Sequence, residues 1–337
     1  MKILIIKPSS LGDVVHALPF LKAVKDSFPE SLVDWVISKN LKKILEDNPL
    51  INRLIIIDKD SWKNFKRLPQ TLSELSSLGK LLRSDSYDIV VDLQGLLRSG
   101  LIAFFTPAVL KIGFEDAREG SRFFYDKRIR VNEASHAVDK CLEVARAMGA
   151  RPAGTPVFPL HIDGAASERI RSLLGDTAGY VVIVPSARWP SKRWPAGYFA
   201  SLIKRIPVPC VIPGTSEDRE TVREITDALP SGDNIIDLCG KTDLKELTAL
   251  LGGATAVVTN DTGSMHIAAA MDVPVVALFG PTDPVKTGPY RWQENNRLTV
   301  IKAGVSCSPC RRKTCSEPAC MTGITVDMAF EALRKYL

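Results

Sequence analysis

Short apolar runs rich in Val and Ile alternate with stretches of helical length through most of this chain, and that alternation constrains its fold more than any other feature. A run without polar interruption suits a strand covered on both faces, and strands covered on both faces belong to parallel sheets flanked by crossover helices. The pattern therefore predicts a doubly wound α/β fold. In the first half, strands are expected over residues 3–6, 32–37, 54–57 and 89–93, with helices near 11–28, 71–84 and 135–148. The pattern restarts over 180–184 and continues at 210–212, 235–238, 256–260 and 275–279. Between the halves, Arg151-Pro152-Ala153-Gly154-Thr155-Pro156 breaks both periodicities. The expected division is a first Rossmann-like domain over 1–152, a second over 153–324, and a C-terminal helix in 325–337 with the option of packing back toward the first domain.

Composition narrows the function. With 337 residues, 45% hydrophobic and 24% charged, the chain suits two ordinary globular domains. Its apolar runs fall far short of the roughly 20 residues that cross a bilayer, and its start lacks the three-part pattern of a secretory signal. The expected compartment is the cytoplasm. A net charge of +6, spread over both halves, is too small and diffuse for a dedicated nucleic-acid binder but suits anionic small molecules or a membrane surface. Cys141, Cys210 and Cys239 sit singly in apolar segments and read as core residues.

Open α/β sheets bind ligands beyond the carboxyl ends of their strands, so the loops after strands carry the search for chemistry. After the first strand, Ser9, Ser10 and Gly12 can bring backbone amides to an anion near a helix start, and Asp13 adds a carboxylate. The plainer reading is that Ser10 caps the helix and Asp13 favours its positive end. The loop lacks the Walker lysine pattern and GxGxxG, so it supports neither a P-loop nor a standard dinucleotide site. In the second half, Asn260-Asp261-Thr262-Gly263 leads into an alanine-rich helix, where the Thr262 and Gly263 amides can cradle a phosphate. His266, three residues after Gly263, can face the same site; a satisfied histidine and an Asp261 cap are the plainer readings. Phe279-Gly280-Pro281-Thr282-Asp283-Pro284 is either a turn or pocket wall. Between Pro185 and Pro195, Arg188, Lys192 and Arg193 interleave with Trp189 and Trp194 and can neutralise a diphosphate.

These motifs together resemble the bacterial lipopolysaccharide heptosyltransferases, glycosyltransferases of GT-B architecture with two Rossmann-like domains facing a cleft. The likeness rests on Ser9-Ser10-Leu11-Gly12-Asp13, Asp92-Leu93-Gln94-Gly95-Leu96-Leu97-Arg98-Ser99, Lys192-Arg193-Trp194-Pro195, Asn260-Asp261-Thr262-Gly263 with His266, and the Phe279–Pro284 turn. It implies inverting, metal-independent transfer of a heptose from ADP-heptose, with no further cofactor. It also implies that Asp13 is the catalytic base, that Lys192 meets the donor phosphates, and that Ser186, Asp261, Thr262, Gly263 and His266 line the donor site. The segment over 92–99 is most similar to members that add the first heptose to the 3-deoxy-manno-octulosonic acid of lipid A. For that anionic acceptor the expected residues are Ser10, Gly12, Lys59, Lys63, Lys66, Arg67, Gln94 and Arg98. Trp62 and Phe65, interleaved with the first four of these cations, either touch the inner face of the inner membrane transiently or belong to a solvated helix face. One departure is Ser186-Ala187, where family members often carry adjacent hydroxyl residues. Heptosyltransferase II, another GT-B transferase with a different acceptor or nucleotide sugar, and a non-catalytic nucleotide-sugar binding relative stay open.

The tail carries Cys307, Cys310, Cys315 and Cys320, a CxxC followed by two more cysteines. Reduced or adventitiously oxidised thiols are the first expectation, a four-thiolate structural zinc site the second and an iron–sulfur cluster the third.

Overall fold

Ile3, Leu4, Ile5 and Ile6 are all closed to solvent, so the first strand is covered on both faces, as an uninterrupted apolar run requires. The computed structural model describes residues 1–58, 68–175, 177–230 and 235–337, with the backbone alone for 68–75. The chain divides into two units, Met1–His161 and Ile162–Leu337, each built on one six-stranded sheet. In the first unit β1 (Lys2–Ile6), β2 (Leu32–Ser38), β3 (Arg53–Ile57), β4 (Tyr87–Asp92), β5 (Ala108–Phe114) and β6 (Lys127–Ile129) pair in parallel in the order β3-β2-β1-β4-β5-β6. Helices α1 (Leu11–Ser27), α2 (Leu68–Arg83) and α3 (Leu97–Phe105) make the crossovers, and α4 (Ala137–Ala147) packs on α1.

The second unit repeats the plan. Helix α5 (Gly164–Leu174) precedes β7 (Val181–Val184), β8 (Cys210–Gly214), β9 (Ile235–Cys239), β10 (Ala256–Asn260), β11 (Val275–Phe279) and β12 (Leu298–Lys302), which pair in parallel as β12-β11-β10-β7-β8-β9. Between and after them run α6 (Ala196–Ile203), α7 (Arg219–Asp227), α8 (Leu244–Gly252), α9 (Gly263–Ala270), α10 (Pro284–Thr287), α11 (Ala319–Thr322) and α12 (Val326–Leu333).

Both boundaries differ from expectation. The Pro/Gly stretch over 151–156 lies inside the first unit, where Asn48 Nδ2 donates to the Pro159 carbonyl at 2.7 Å, beyond that stretch. The second unit starts where Asp163 caps α5 and meets Lys245 at 3.2 Å. The segment over 325–337 is no separate element: Ala329 and Leu333 of α12 are buried in the second core with Phe199 and Leu202 of α6. Arg205 stacks on Phe330 at 4.0 Å and pairs with Asp327 at 2.6 Å. Strands β5, β6 and β12 were absent from the expected set. β5 and β12 are only partly buried and β6 is three residues long at an edge, so none has an uninterrupted apolar run. Cys141, Cys210 and Cys239 are core residues as expected.

A polar clamp ties the amino ends of the first four strands together. Arg53 on β3 bridges Asp34 on β2 at 2.7 Å and Asp85 before β4, Lys2 on β1 also meets Asp85, and Tyr87 on β4 donates to Asp34 at 2.8 Å. Burial, with the adjacent Asp34 carboxylate, pushes the Tyr87 hydroxyl well above its ordinary value.

Two predictions follow from this packing. A Cβ at Gly113 would stand inside the buried ring of Tyr125, so Gly113→Ala should lower stability by about 1–3 kcal/mol through overpacking, read from the urea midpoint. Hydrogen bonds from Lys2 and then Arg53 hold the Asp85 carboxyl below its ordinary range. Because the folded value lies below the unfolded one, that stabilisation is present above about pH 3.9 and is lost as pH falls through the folded value. Asp85→Asn should therefore be less stable at neutral pH and lose less stability between neutral pH and pH about 3 than the parent. A parallel acid limb in the two proteins would contradict the assignment.

Candidate functional sites

In the first unit the chain leaves β1 toward β2 on one side, while β4 leads to β5 on the other, so the loops following these two adjacent strands part and leave a crevice at the carboxyl edge. The loops are tied at their base: Lys7 Nζ donates to the Leu93 carbonyl at 2.6 Å, and the Ser9 amide donates to Gln94 Oε1 at 3.3 Å. The crevice holds a cavity of about 220 Å³ lined by Asp13, His16 and Gln94, with Lys7, Arg118 and Lys140 as its cations.

One wall depends on Asp92, at the end of β4 and closed to solvent. It accepts the Gln94 and Gly95 amides at 2.8 and 3.0 Å and the Tyr125 hydroxyl at 2.6 Å. Burial pushes its carboxyl above the ordinary range, against these hydrogen bonds. Gly95 turns at φ +66°, where a side chain would be strained and would press on Ala117.

Asp13 lines this cavity and also does what the plainer reading required. Its Oδ2 accepts from the Ser10 amide and the Ser10 hydroxyl, both at 2.8 Å, closing a capping box at the start of α1. The box holds the carboxylate in one orientation, so capping and a chemical role are compatible. His16, one turn along α1, meets His136 edge to face at 5.0 Å.

In the second unit the corresponding parting lies between β7 and β10. Asn260, at the end of β10, accepts the Trp194 amide at 3.1 Å and donates to the Pro185 carbonyl at 2.6 Å, drawing the loop after β7 over β10. Trp194 is buried and donates to the Ile324 carbonyl at 2.8 Å. Lys192 Nζ then meets Asp261 at 2.6 Å, Thr282 donates to the same carboxylate oxygen at 2.5 Å, and the lysine lies 4.7 Å from the Trp189 ring. Thr262 takes the cap position of α9 without a capping bond from its side chain, and His266 is buried in the helix. The Ser186 hydroxyl oxygen is buried and, among the described residues, meets no hydrogen-bond partner.

The structure thus gathers Lys192 and Asp261 at the end of the second sheet, with Thr262 and Gly263 next in the chain after Asp261, and Asp13 and Gln94 in the first unit. Ser10 is exposed and acts on Asp13, and Gly12 is buried within α1. Arg98 is exposed on α3 outside the residues lining the cavity. Lys59, Lys63, Lys66, Arg67, Trp62 and Phe65 lie outside the described residues. Lys7, Arg118 and Lys140 were missed. Lys7 adjoins the Ser-Ser-Leu-Gly-Asp motif and could have been found, whereas Arg118 and Lys140 arrive from distant loops and a later helix. In the Phe279–Pro284 turn, Thr282 donates to the Asp261 carboxylate that Lys192 also meets, which ties the turn to that pair. One Asp-x-Asp tripeptide, Asp58-Lys59-Asp60, does occur; Asp58 lies 4.0 Å from Lys39, and Asp60 falls outside the described residues.

The four tail cysteines lie in the segment between β12 and the end of α11. Among the described residues no group of three or more His, Cys, Asp or Glu side chains is placed to hold a metal ion. The tail is pinned along the carboxyl edge by its backbone and Ser308: Ser308 donates to the Gly280 carbonyl at 2.6 Å, the Arg311 amide to Pro281 at 2.8 Å, and Ser191 to the Arg312 carbonyl at 2.6 Å. Cys307, Cys310 and Cys315 are left exposed, while Cys320 is buried and its thiol pushed up, chiefly by burial.

Two parallel sheets, each with polar groups gathered where the loops after its central strands part, define a two-Rossmann protein of the GT-B class. Residues 75–321 match glycosyltransferase family 9 (heptosyltransferase), and the chain belongs to that family. It is 31% identical to lipopolysaccharide heptosyltransferase 1 of Pseudomonas aeruginosa, over 94% of this chain and 88% of the relative. It is 30% identical to lipooligosaccharide heptosyltransferase 2 of Haemophilus influenzae, over 90% of this chain and 88% of the relative. The solved E. coli heptosyltransferase WaaC with ADP has the same fold, with a TM-score of 0.82 at 24% identity over the whole of both chains.

Lys192→Met would leave the buried Asp261 carboxylate without its cation, at a cost of about 3 kcal/mol in the stability of the second unit. Adding Asp261→Asn should recover most of the loss in the same denaturation measurement. Additive losses would show that the pair is not coupled.

Proposed function

We propose that this heptosyltransferase transfers L-glycero-D-manno-heptose from ADP-heptose to the 3-deoxy-manno-octulosonic acid of the lipid A inner core, with inversion and without a divalent metal. The observation that carries the reading is Asp13, a carboxylate oriented by its capping box inside a cavity whose cations, Lys7, Arg118 and Lys140, suit an acidic sugar acceptor. The first unit binds the acceptor and the second the donor. The name of the P. aeruginosa relative supports the lipopolysaccharide acceptor, and the ADP in the WaaC structure supports the nucleotide.

Asp13 takes the proton of the acceptor hydroxyl as that oxygen attacks the anomeric carbon from the face opposite the diphosphate. The bond to the diphosphate breaks on the other face, which inverts the centre. The departing negative charge is met by Lys192 and by the first amides of α9, at the positive end of that helix. Lys192 has donors left for phosphate while it remains on Asp261, and the Ser186 hydroxyl offers a further contact to the donor. His266 completes the donor wall. The enzyme works in the cytoplasm against the inner face of the inner membrane. The likeness to a heptosyltransferase 2 keeps a second reading in play, in which the acceptor already carries a heptose.

Asp13→Asn keeps the shape of the capping box and removes the base, so turnover should fall by about 10²–10⁴. The thermal shift produced by ADP should stay as in the parent. Near-parental turnover with chemistry limiting would refute the role. Transfer should also survive EDTA; an absolute requirement restored by added magnesium or manganese would refute the metal-free step. Assay of acceptors with and without a first heptose separates the two readings.

A further inference from the structure

Helix α3 turns an apolar face outward as well as inward. Ile102 and Ala103 pack inside the first unit, while Leu97, Leu101, Phe104 and Phe105 lie together on the other side at helical spacing and are exposed. Phe104 is 51% and Phe105 48% accessible, and Phe123, in the turn packed against α3, is 67% accessible. Soluble surfaces seldom leave so many large apolar side chains together without a partner.

The cations around this face identify the partner. Arg83 lies 5.9 Å from the Phe105 ring, Lys111 5.6 Å from Phe104, and Arg122 and Arg128 5.0 and 5.9 Å from Phe123. Arg98 adds another exposed cation on α3. The acidic neighbours are turned to local backbone: Glu119 accepts the Leu97 amide and Asp126 the Lys111 amide. The cores of protein interfaces are depleted of charge, and a two-fold contact between copies would set these cations against themselves. Aromatic rings flanked by Lys and Arg instead match the boundary of a bilayer, with rings among the acyl chains and cations at the headgroups.

We propose that α3 and the turn over 121–124 form the surface by which the first unit docks on an anionic phospholipid membrane. The place is consistent with the acceptor reading, on which only its purpose rests. Gln94 and Gly95 line the cavity and lead directly into α3, and Arg118, also lining it, hydrogen-bonds Gly95 and is followed by the turn. A sugar on a lipid anchored at this surface would stand next to Asp13. This surface differs from the stretch over 59–67 expected from the sequence.

Vesicle flotation without donor or acceptor tests docking separately from catalysis. The full chain should float with phosphatidylglycerol-containing vesicles and not with pure phosphatidylcholine, and ~1 M salt should weaken it because screening then acts within roughly 3 Å. Phe105→Ser with Phe123→Ser should weaken binding by about tenfold or more, given the apolar area withdrawn from the acyl boundary. Arg122→Glu with Arg128→Glu should abolish the preference for the anionic lipid. Both variants should keep the parental melting temperature and the ADP thermal shift, since neither changes a residue lining the cavity. Parental binding by the variants, or no binding by the parent at low salt, would overturn the proposal. So would a parental dimer that the phenylalanine variant dissociates, which would assign the face to a second copy.

Discussion

Both sites depend on one topological constraint. A parallel sheet can extend in both directions from its centre only if two neighbouring strands send their connections to opposite sides, and between those two the loops must part. Here the pairs are β1 with β4 and β7 with β10. The parting places Asp13 near Gln94 in one unit and Lys192 against Asp261 in the other. Residues far apart in sequence meet because their strands are neighbours.

The partings are held open by buried polar groups, which an apolar core would not accept unpaired. Asp92 fixes the loop after β4 through two amides and the Tyr125 hydroxyl, and Asn260 fixes the loop after β7 through Trp194 and Pro185. Each group sits at the last residue of its strand, where the ladder ends and backbone donors become available. The same loops carry the residues proposed to act on acceptor and donor, so their rigidity is a requirement of the chemistry. The Ser10–Asp13 capping box serves the same end, since a carboxylate held on one oxygen by two donors cannot swing freely.

Much of this was legible beforehand because the strands nearest each parting are the most apolar. β1, β4, β7, β10 and β11 are read directly from uninterrupted runs, and the motifs that follow β1, β7 and β10 carry Asp13, Lys192 and Asp261. Three strands were harder, because β5, β6 and β12 are short or half-covered and lack a clear period. The domain boundary was misplaced because a Pro/Gly stretch reports a break in regular structure, not a break in packing. Asn48 holds the chain past that break on the first unit.

The sequence by itself determined the parallel α/β class, the two-domain plan, the family, and which loops follow which strands, because apolar runs and short motifs are local and survive reading in one dimension. Only the tertiary structure decided that Arg118 and Lys140 share a cavity with Asp13, that Thr282 donates to Asp261, and that Cys320 is buried while Cys307, Cys310 and Cys315 are exposed. It alone showed that α3 leaves Phe104 and Phe105 uncovered. Each of these is a relation between segments distant in the chain, set by strand order and by which helix faces find a partner, and no local pattern encodes it.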